Sequence, residues 1–100
     1  MKTYVIRRRS GWSSADELKA AAARSRRIGD EEMSHAVRWI RSYVVAENDG
    51  RLGTHCIYQA IGPEAIRDHA ARAGLPADEV EEVMDTVIVR PDPVEALAEG

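Results

Sequence analysis

The chain has 100 residues, 44% of them hydrophobic and 31% charged, with a formal net charge of −3 at pH 7. This size allows one modest core, so we expect a single domain over residues 1–93 and a short acidic tail over residues 94–100. The charge disfavours nucleic acid and anionic membranes as partners, and the single cysteine excludes an intrachain disulfide. No segment approaches the ~20 apolar residues of a membrane span, which makes a cytoplasmic location the default expectation.

The first half of the chain predicts a strand, a helix and a second strand. Residues 3–8 are β-rich and precede a glycine, which predicts strand one. Ser14 and Glu17 have the spacing of a capping box, so a helix should begin there and extend to about Arg27. A loop is expected after this helix. Residues 37–45 are rich in β-branched and aromatic side chains and predict strand two.

The second half completes the pattern. Residues 48–50 predict a turn that pairs strand two with a third strand over residues 55–60. A second helix should begin at Pro63 and end at Gly74, since proline suits the first helical turn and glycine the left-handed cap. The last strand is predicted over residues 83–89, after one further turn.

The order β-α-β-β-α-β predicts an α+β, ferredoxin-like fold, in which a four-stranded antiparallel sheet carries both helices on one face. The other face must then be polar or covered. Regular alternation places Trp39, Arg41 and Tyr43 on one side of strand two and Ile40 and Val44 on the other, so neither side is cleanly polar. We therefore predict a homodimer formed through the open sheet face.

A histidine on the second helix is the first candidate for chemistry. Its apolar stripe contains Ile66, Ala70 and Ala73, and His69 lies within that stripe. A buried imidazole must satisfy its ring nitrogens. One interpretation is a structural histidine that bonds a tyrosine hydroxyl or a backbone carbonyl, and the other is a metal ligand or a general base.

Strand three supplies the other candidates. Cys56 and Tyr58 share one side of this strand and His55 faces the other. Three roles are open for Cys56: a small buried apolar side chain, a soft metal ligand or a nucleophile. Neighbours on a regular strand cannot hold one ion together, so a metal site built from His69, Cys56, His55 and the edge residue His35 requires two subunits or a bulge. Imidazole and carboxylate ligands suit nickel, zinc or copper.

The run Arg7-Arg8-Arg9 closes strand one. We interpret it as a solvated or interface edge, with an anion site as the alternative.

Over most of its length the chain resembles a family of small ferredoxin-like proteins of the nickel-responsive type, labelled nickel-binding or left as a domain of unknown function. The resemblance is densest in Trp39-Ile40-Arg41-Ser42-Tyr43-Val44, Cys56-Ile57-Tyr58-Gln59-Ala60, Ala65-Ile66-Arg67-Asp68-His69-Ala70 and Ala73-Gly74-Leu75-Pro76-Ala77-Asp78. It implies a dimer with divalent nickel at its surface, and Tyr43, Cys56, Tyr58 and His69 match the family pattern.

One position departs from that pattern. The residue before Ser42 and Tyr43 is often histidine in the family and is Arg41 here. A guanidinium carries no lone pair for a cation, so a metal site that uses this position is lost or altered.

Two functions from different classes follow as hypotheses. The first is a small cytoplasmic dimer that binds a divalent transition metal, with nickel as the leading candidate, for storage or sensing. The second is a dimeric α+β-barrel enzyme of the cyclase, isomerase or oxygenase type, with a pocket around His69, Tyr58, Tyr43 and Cys56 that holds a small molecule. There His69 would act as general base and a tyrosine as hydrogen-bond donor. A module that binds a protein partner is the remaining alternative.

Overall fold

A computed structural model describes residues 1–93 of the chain. Four antiparallel strands form one sheet in the spatial order β2-β3-β1-β4, and two helices pack against it. The elements, in chain order, are β1 Lys2–Trp12, α1 Ala15–Arg27, β2 Val37–Ala46, β3 Leu52–Ala60, α2 Pro63–Ala73 and β4 Glu79–Glu82. The α+β, ferredoxin-like arrangement predicted from the sequence is confirmed. The acidic tail predicted over residues 94–100 lies outside the described residues.

Both helices begin or end where their capping residues predict. The Ser14 hydroxyl accepts a hydrogen bond from the Glu17 amide at 3.2 Å at the start of α1. The Glu17 carboxylate, which a full capping box would direct to the Ser14 amide, instead accepts from the Ser13 hydroxyl at 2.6 Å. Gly74 ends α2 with a φ of 69°, in the left-handed region that favours glycine.

The prediction of a loop after α1 is wrong, because the chain continues there as a π-helical segment over Ile28–Glu32. Ile28 and Gly29 are buried in this segment. A Cβ atom at Gly29 would lie 3.6 Å from Nε2 of His69, so the segment packs directly against α2.

A β-bulge in β2 changes which residues face the helices. The pairing of β2 with β3 shifts between Trp39 and Arg41, which leaves Ile40 as the extra residue. Trp39 therefore lies beside Tyr58 on the helix-covered face, whereas Arg41 and Tyr43 lie on the open face. Regular alternation predicted one common side for all three, and the bulge makes that prediction wrong.

The last strand occupies an earlier stretch than predicted. β4 pairs with β1 from Arg7 opposite Glu79 to Tyr4 opposite Glu82, whereas the sequence predicted a strand over residues 83–89. The chain reaches the free edge of β1 soon after α2, where the Asp78 amide donates to the Arg7 carbonyl at 3.0 Å. The edge is then filled before the more β-prone residues arrive, and Val87, Ile88 and Val89 are left exposed.

The hydrophobic core lies between the sheet and the helices. Its largest fully buried apolar side chains are Ile6 from β1, Val37 from β2 and Ile66 from α2. Within residues 1–93, no helix is long and apolar enough to cross a bilayer.

Candidate functional site

Three elements meet at a hydrogen-bonded triad of Tyr58, Ser25 and His69. The Tyr58 hydroxyl lies 2.9 Å from the Ser25 hydroxyl, and Nε2 of His69 lies 2.9 Å from the Ser25 backbone oxygen. Because a carbonyl oxygen only accepts, Nε2 carries the hydrogen and donates it. The inward orientation of His69 predicted from the helical stripe is confirmed, with the side chain 1% exposed.

His69 is a neutral imidazole at pH 7. Burial lowers its pKa from the ordinary value, and the nearby Arg8 charge lowers it further, against the opposing effect of the Ser25 hydrogen bond. With the hydrogen on Nε2, the Nδ1 atom presents a lone pair, and this buried atom has no hydrogen-bond partner among the described residues. The Tyr58 ring lies next to it at a centroid distance of 5.4 Å, and burial raises the pKa of the Tyr58 phenol.

A chain of side-chain hydrogen bonds crosses the same face of the sheet. The Trp39 indole donates to the Ser42 hydroxyl at 2.9 Å, the Ser42 hydroxyl donates to Sγ of Cys56 at 3.0 Å, and the Cys56 thiol donates to the Thr54 hydroxyl at 3.2 Å. Trp39 also stacks on Tyr58, with ring centroids 6.2 Å apart. The Thr54 hydroxyl accepts at the end of this series, so its own hydrogen takes no part in it.

Arg8 lies directly opposite Thr54 in the sheet, next to the last member of this series of hydrogen bonds. Its side chain is 1% exposed, and its Nε, Nη1 and Nη2 atoms have no hydrogen-bond partner within residues 1–93. The guanidinium lies 5.8 Å from the centroid of the Tyr58 ring, a contact worth about 0.5–2 kcal/mol. That gain is smaller than the cost of a buried unpaired ion, which is on the order of several kcal/mol.

The arginines on either side of Arg8 have carboxylate partners. Arg7 donates to both carboxylate oxygens of Glu47, at 2.8 and 2.9 Å, and Arg9 pairs with Glu79. Both neighbours point away from the helix side because β1 alternates. The Arg7-Arg8-Arg9 run was predicted to form a solvated or interface edge, but the side chain of Arg8 lies in the interior.

Residues at the turn end of the β2-β3 hairpin pack against the β1 backbone around Arg8. Glu47 also accepts from the Ser10 amide at 3.0 Å, and these bonds lower the pKa of its carboxyl, with the Arg7 bond as the largest cause. A Cβ atom at Gly53 would lie 2.7 Å from the Arg8 carbonyl oxygen and would collide with the Glu47 carboxylate. Glycine is therefore required at residue 53 for the hairpin to approach β1 so closely.

Sequence reasoning missed Arg8 as a residue of the buried cluster, although the signal was present. Tyr4, Ile6 and Arg8 occupy alternate positions of one strand and therefore share a face. The first two are apolar core residues, and the third follows them inward.

The structure places the predicted site residues in three separate regions. His69, Tyr58 and Cys56 lie between the sheet and the helices, all of them buried. Tyr43 and His55 face each other on the open side of the sheet, where both are exposed. The structure thus brings His69, Tyr58 and Cys56 together and leaves Tyr43 and His55 on the other side of the sheet.

His35 lies in the third region, an open surface pocket of about 480 Å³ between the π-helical segment and α2. Acidic side chains line this pocket with it, namely Glu32, Glu64 and Asp68. Arg72 neutralises part of that charge, at 3.6 Å from Glu32 and 3.2 Å from Asp68.

On the open face, Asp92 joins the surface that carries His55. It accepts from the Tyr43 hydroxyl at 2.8 Å and from the Arg41 guanidinium at 2.7 Å. The Tyr43 bond and then Arg41 lower the pKa of Asp92, so it is a carboxylate at neutral pH. Tyr43 and His55 are a cross-strand pair, which places an imidazole and a carboxylate on either side of one phenol.

These groups do not form a ready-made metal site in one chain. Across the described part of the chain, no three His, Cys, Asp or Glu side chains converge closely enough to hold an ion. His69 in particular offers only Nδ1, and it does so beside the positive charge of Arg8.

Comparison with known proteins identifies the family. A family model described as nickel responsive protein SCO4226-like matches residues 4–83. The chain belongs to this SCO4226-like family. A crystal structure of SCO4226 from Streptomyces coelicolor A3(2) has a similar fold, with a TM-score of 0.66 and 21% sequence identity, over 85% of this chain and 99% of that one. No curated protein sequence matches significantly.

Proposed function

We propose that this SCO4226-like protein is a cytoplasmic homodimer that binds a divalent transition metal, nickel in the first place, for storage or sensing. The observation that carries the proposal is the match of four fifths of the chain to a nickel responsive family. Because one chain gathers no three ligands in its described part, the proposed site takes ligands from two copies.

The open sheet face is the region we propose for the metal. His55 is exposed there, and the Asp92 carboxylate lies one side chain away, beyond Tyr43. Two copies related by a two-fold axis bring two imidazoles and two carboxylates to one interface. Nitrogen and oxygen ligands of this kind suit nickel.

The family resemblance favours the same face. Arg41, which stands where histidine is common in the family, lies on this face and pairs with Asp92. A histidine at residue 41 would add a ligand on the same strand as Tyr43, whereas the guanidinium competes with a metal for the Asp92 carboxylate.

The proposed dimer covers a face that two helices leave open. Val5, Val45 and Ile57 are half-buried on this face, and Tyr43 is 44% exposed. An isologous interface would bury these side chains against their own copies and hold the metal ligands at its centre.

Calorimetric titration of nickel into single variants tests the site, because the chain has only three histidines. We expect the wild type to bind one nickel ion per two chains. The His55→Ala change should weaken binding about tenfold or more by removing an imidazole from each copy. The Arg41→His change should strengthen binding by supplying the ligand that is absent here.

The other exposed histidine provides the matched control. His35→Ala should leave nickel affinity unchanged. Nickel binding that survives His55→Ala and disappears with His35→Ala would place the metal in the acidic surface pocket and contradict the proposed site. A wild type that binds no nickel would contradict the function itself.

A further inference from the structure

We infer that residues 84–89, called the arm below, form an extra strand on the free edge of β2 in a second copy of the chain, and that the two copies exchange arms reciprocally. The inference rests on the homodimer of the proposed function and names the segment that joins its two copies. The arm lies beyond residues 4–83, which the family model matches, so the family match does not account for it.

The arm is an apolar, β-prone segment that lies outside any helix or strand of its own chain. The pairing of β4 with β1 extends to Val83, whose amide donates to the Thr3 carbonyl at 2.8 Å, and no later backbone–backbone hydrogen bond holds the arm within residues 1–93. Its apolar side chains are between 76% and 88% exposed, namely Met84, Val87, Ile88 and Val89. The arm therefore has the side chains of a strand and a backbone that is free to pair with a sheet edge.

The sheet has one long edge without a partner strand in the described chain. β2 is an outer strand of ten residues and pairs only with β3. It exposes two large apolar side chains, Ile40 at 42% and Val44 at 52%. The opposite outer strand, β4, has only four residues, and three of them are glutamates, which disfavour the addition of a further strand. β2 is therefore the edge that suits the arm.

A surface groove of about 530 Å³ lies beside this edge. Trp39 and Ile40 of β2 give the groove an apolar part. Its charged lining residues are three arginines and one aspartate, namely Arg26, Arg38, Arg41 and Asp30, which makes the lining positive. The only charged residue of the arm is Asp85. The groove thus matches the arm in both respects, since it accepts apolar side chains and attracts a carboxylate.

The arm does not cover the β2 strand of its own chain. Asp92, shortly after the arm, contacts Tyr43 and Arg41 of β2, and the apolar side chains of the arm are nonetheless exposed. A second copy presents the same free edge and the same groove. In a two-fold dimer each copy gives one arm and receives one, so both edges are covered and the assembly closes.

Sedimentation equilibrium of the full chain and its variants tests the exchange. Ile88→Asp should raise the dimer dissociation constant about hundredfold or more, because the dimer loses the burial of one isoleucine side chain from each copy. Ile40→Asp should act similarly from the groove that receives the arm. Ile61→Asp is the control and should leave the constant unchanged, since Ile61 is 66% exposed and lies on neither the arm nor β2. All three positions are exposed in the single chain, so the variants should fold.

Disulfide trapping identifies the surfaces that meet. Cys56 is buried, so it does not compete with a cysteine introduced at the surface. Ile88→Cys chains mixed with Ile40→Cys chains under mild oxidation should give covalent dimers that contain one chain of each kind. Either variant alone should stay largely unlinked, because the arm of one copy meets β2 of the other copy and not its arm.

The outcomes separate the arm exchange from the metal function. A dimer that is as tight in Ile88→Asp as in the wild type would overturn the exchange and leave the open-face dimer standing. Covalent dimers of two Ile88→Cys chains would also overturn it, because the arms would then meet each other. A wild type that is monomeric at every concentration contradicts both proposals. A dimer that needs the arm and binds no nickel supports the exchange and contradicts the metal function alone.

Discussion

Arg8 and His69 show how the same strand and helix positions that build a core can also introduce polar groups into it. Each occupies a position that its element directs inward, and each is 1% exposed. His69 is half satisfied, through Nε2 and the Ser25 carbonyl. The interpretation of His69 as a structural histidine bonded to a backbone carbonyl therefore accounts for one ring nitrogen, and the other, Nδ1, has no hydrogen-bond partner within residues 1–93.

The neutral state of His69 makes stability depend on pH. Its pKa is lowered in the folded protein, chiefly by burial, so the unfolded chain takes up a proton first as the pH falls. Stability should therefore decrease as the pH drops below the unfolded value of about 6.5, by up to about 1.4 kcal/mol per pH unit. At higher pH the imidazole is neutral in both states and contributes no pH dependence.

Urea unfolding at about pH 7.5 and about pH 5.5 measures this contribution. Wild type should lose more free energy of unfolding across the interval than His69→Gln. The exposed His35 serves as the control, since His35→Gln should retain the wild-type loss. Equal losses of unfolding free energy in all three proteins would show that folding does not lower the pKa of His69.

At the scale of elements, the end signals of helices were readable in the sequence, and those of the last strand were not. Ser14 and Gly74 act locally, through a hydroxyl that caps an amide and a backbone that adopts a positive φ. The last strand depends on where the chain first meets the free edge of β1, a long-range contact. Residues 79–82 include three glutamates and still form β4, because pairing with β1 outweighs their low β-propensity.

The bulge at Ile40 explains why the faces of β2 were assigned incorrectly. A single extra residue reverses the side on which every later residue lies. Tyr43 was therefore expected in a pocket with His69, and it lies on the open face with His55 instead. A regular period of two cannot indicate such an insertion, which appears only in the pairing with β3.

The cap of α1 gives a direct test at this scale. Ser14→Ala removes the acceptor for the Glu17 amide and should lower the free energy of unfolding by about 1 kcal/mol. The melting temperature should fall by about 4–8 °C. Ser13→Ala is the control, because Ser13 bonds only an exposed carboxylate and should change stability by less than about 0.5 kcal/mol. Similar losses in the two variants would argue that the helix does not begin at Ser14.

At the scale of the whole molecule, the sheet separates two groups of polar side chains. Its helix-covered face carries the buried polar side chains of Arg8, Thr54 and His69. Its open face carries His55 and Asp92, the ligands of the proposed metal site. The sequence predicted the fold and the inward histidine, but it placed Tyr43 in the neighbourhood of His69, whereas Tyr43 lies opposite His55 on the open face.

The proposed dimer is what would turn the open face into a metal site. A crystal of the nickel-loaded protein, measured at the nickel absorption edge, shows the position of the metal without reference to any variant. We predict one anomalous peak per dimer between the imidazoles of the two His55 residues on facing sheets. A peak beside His35 or His69 alone, or none with nickel in excess, would contradict a nickel site shared by two open sheet faces.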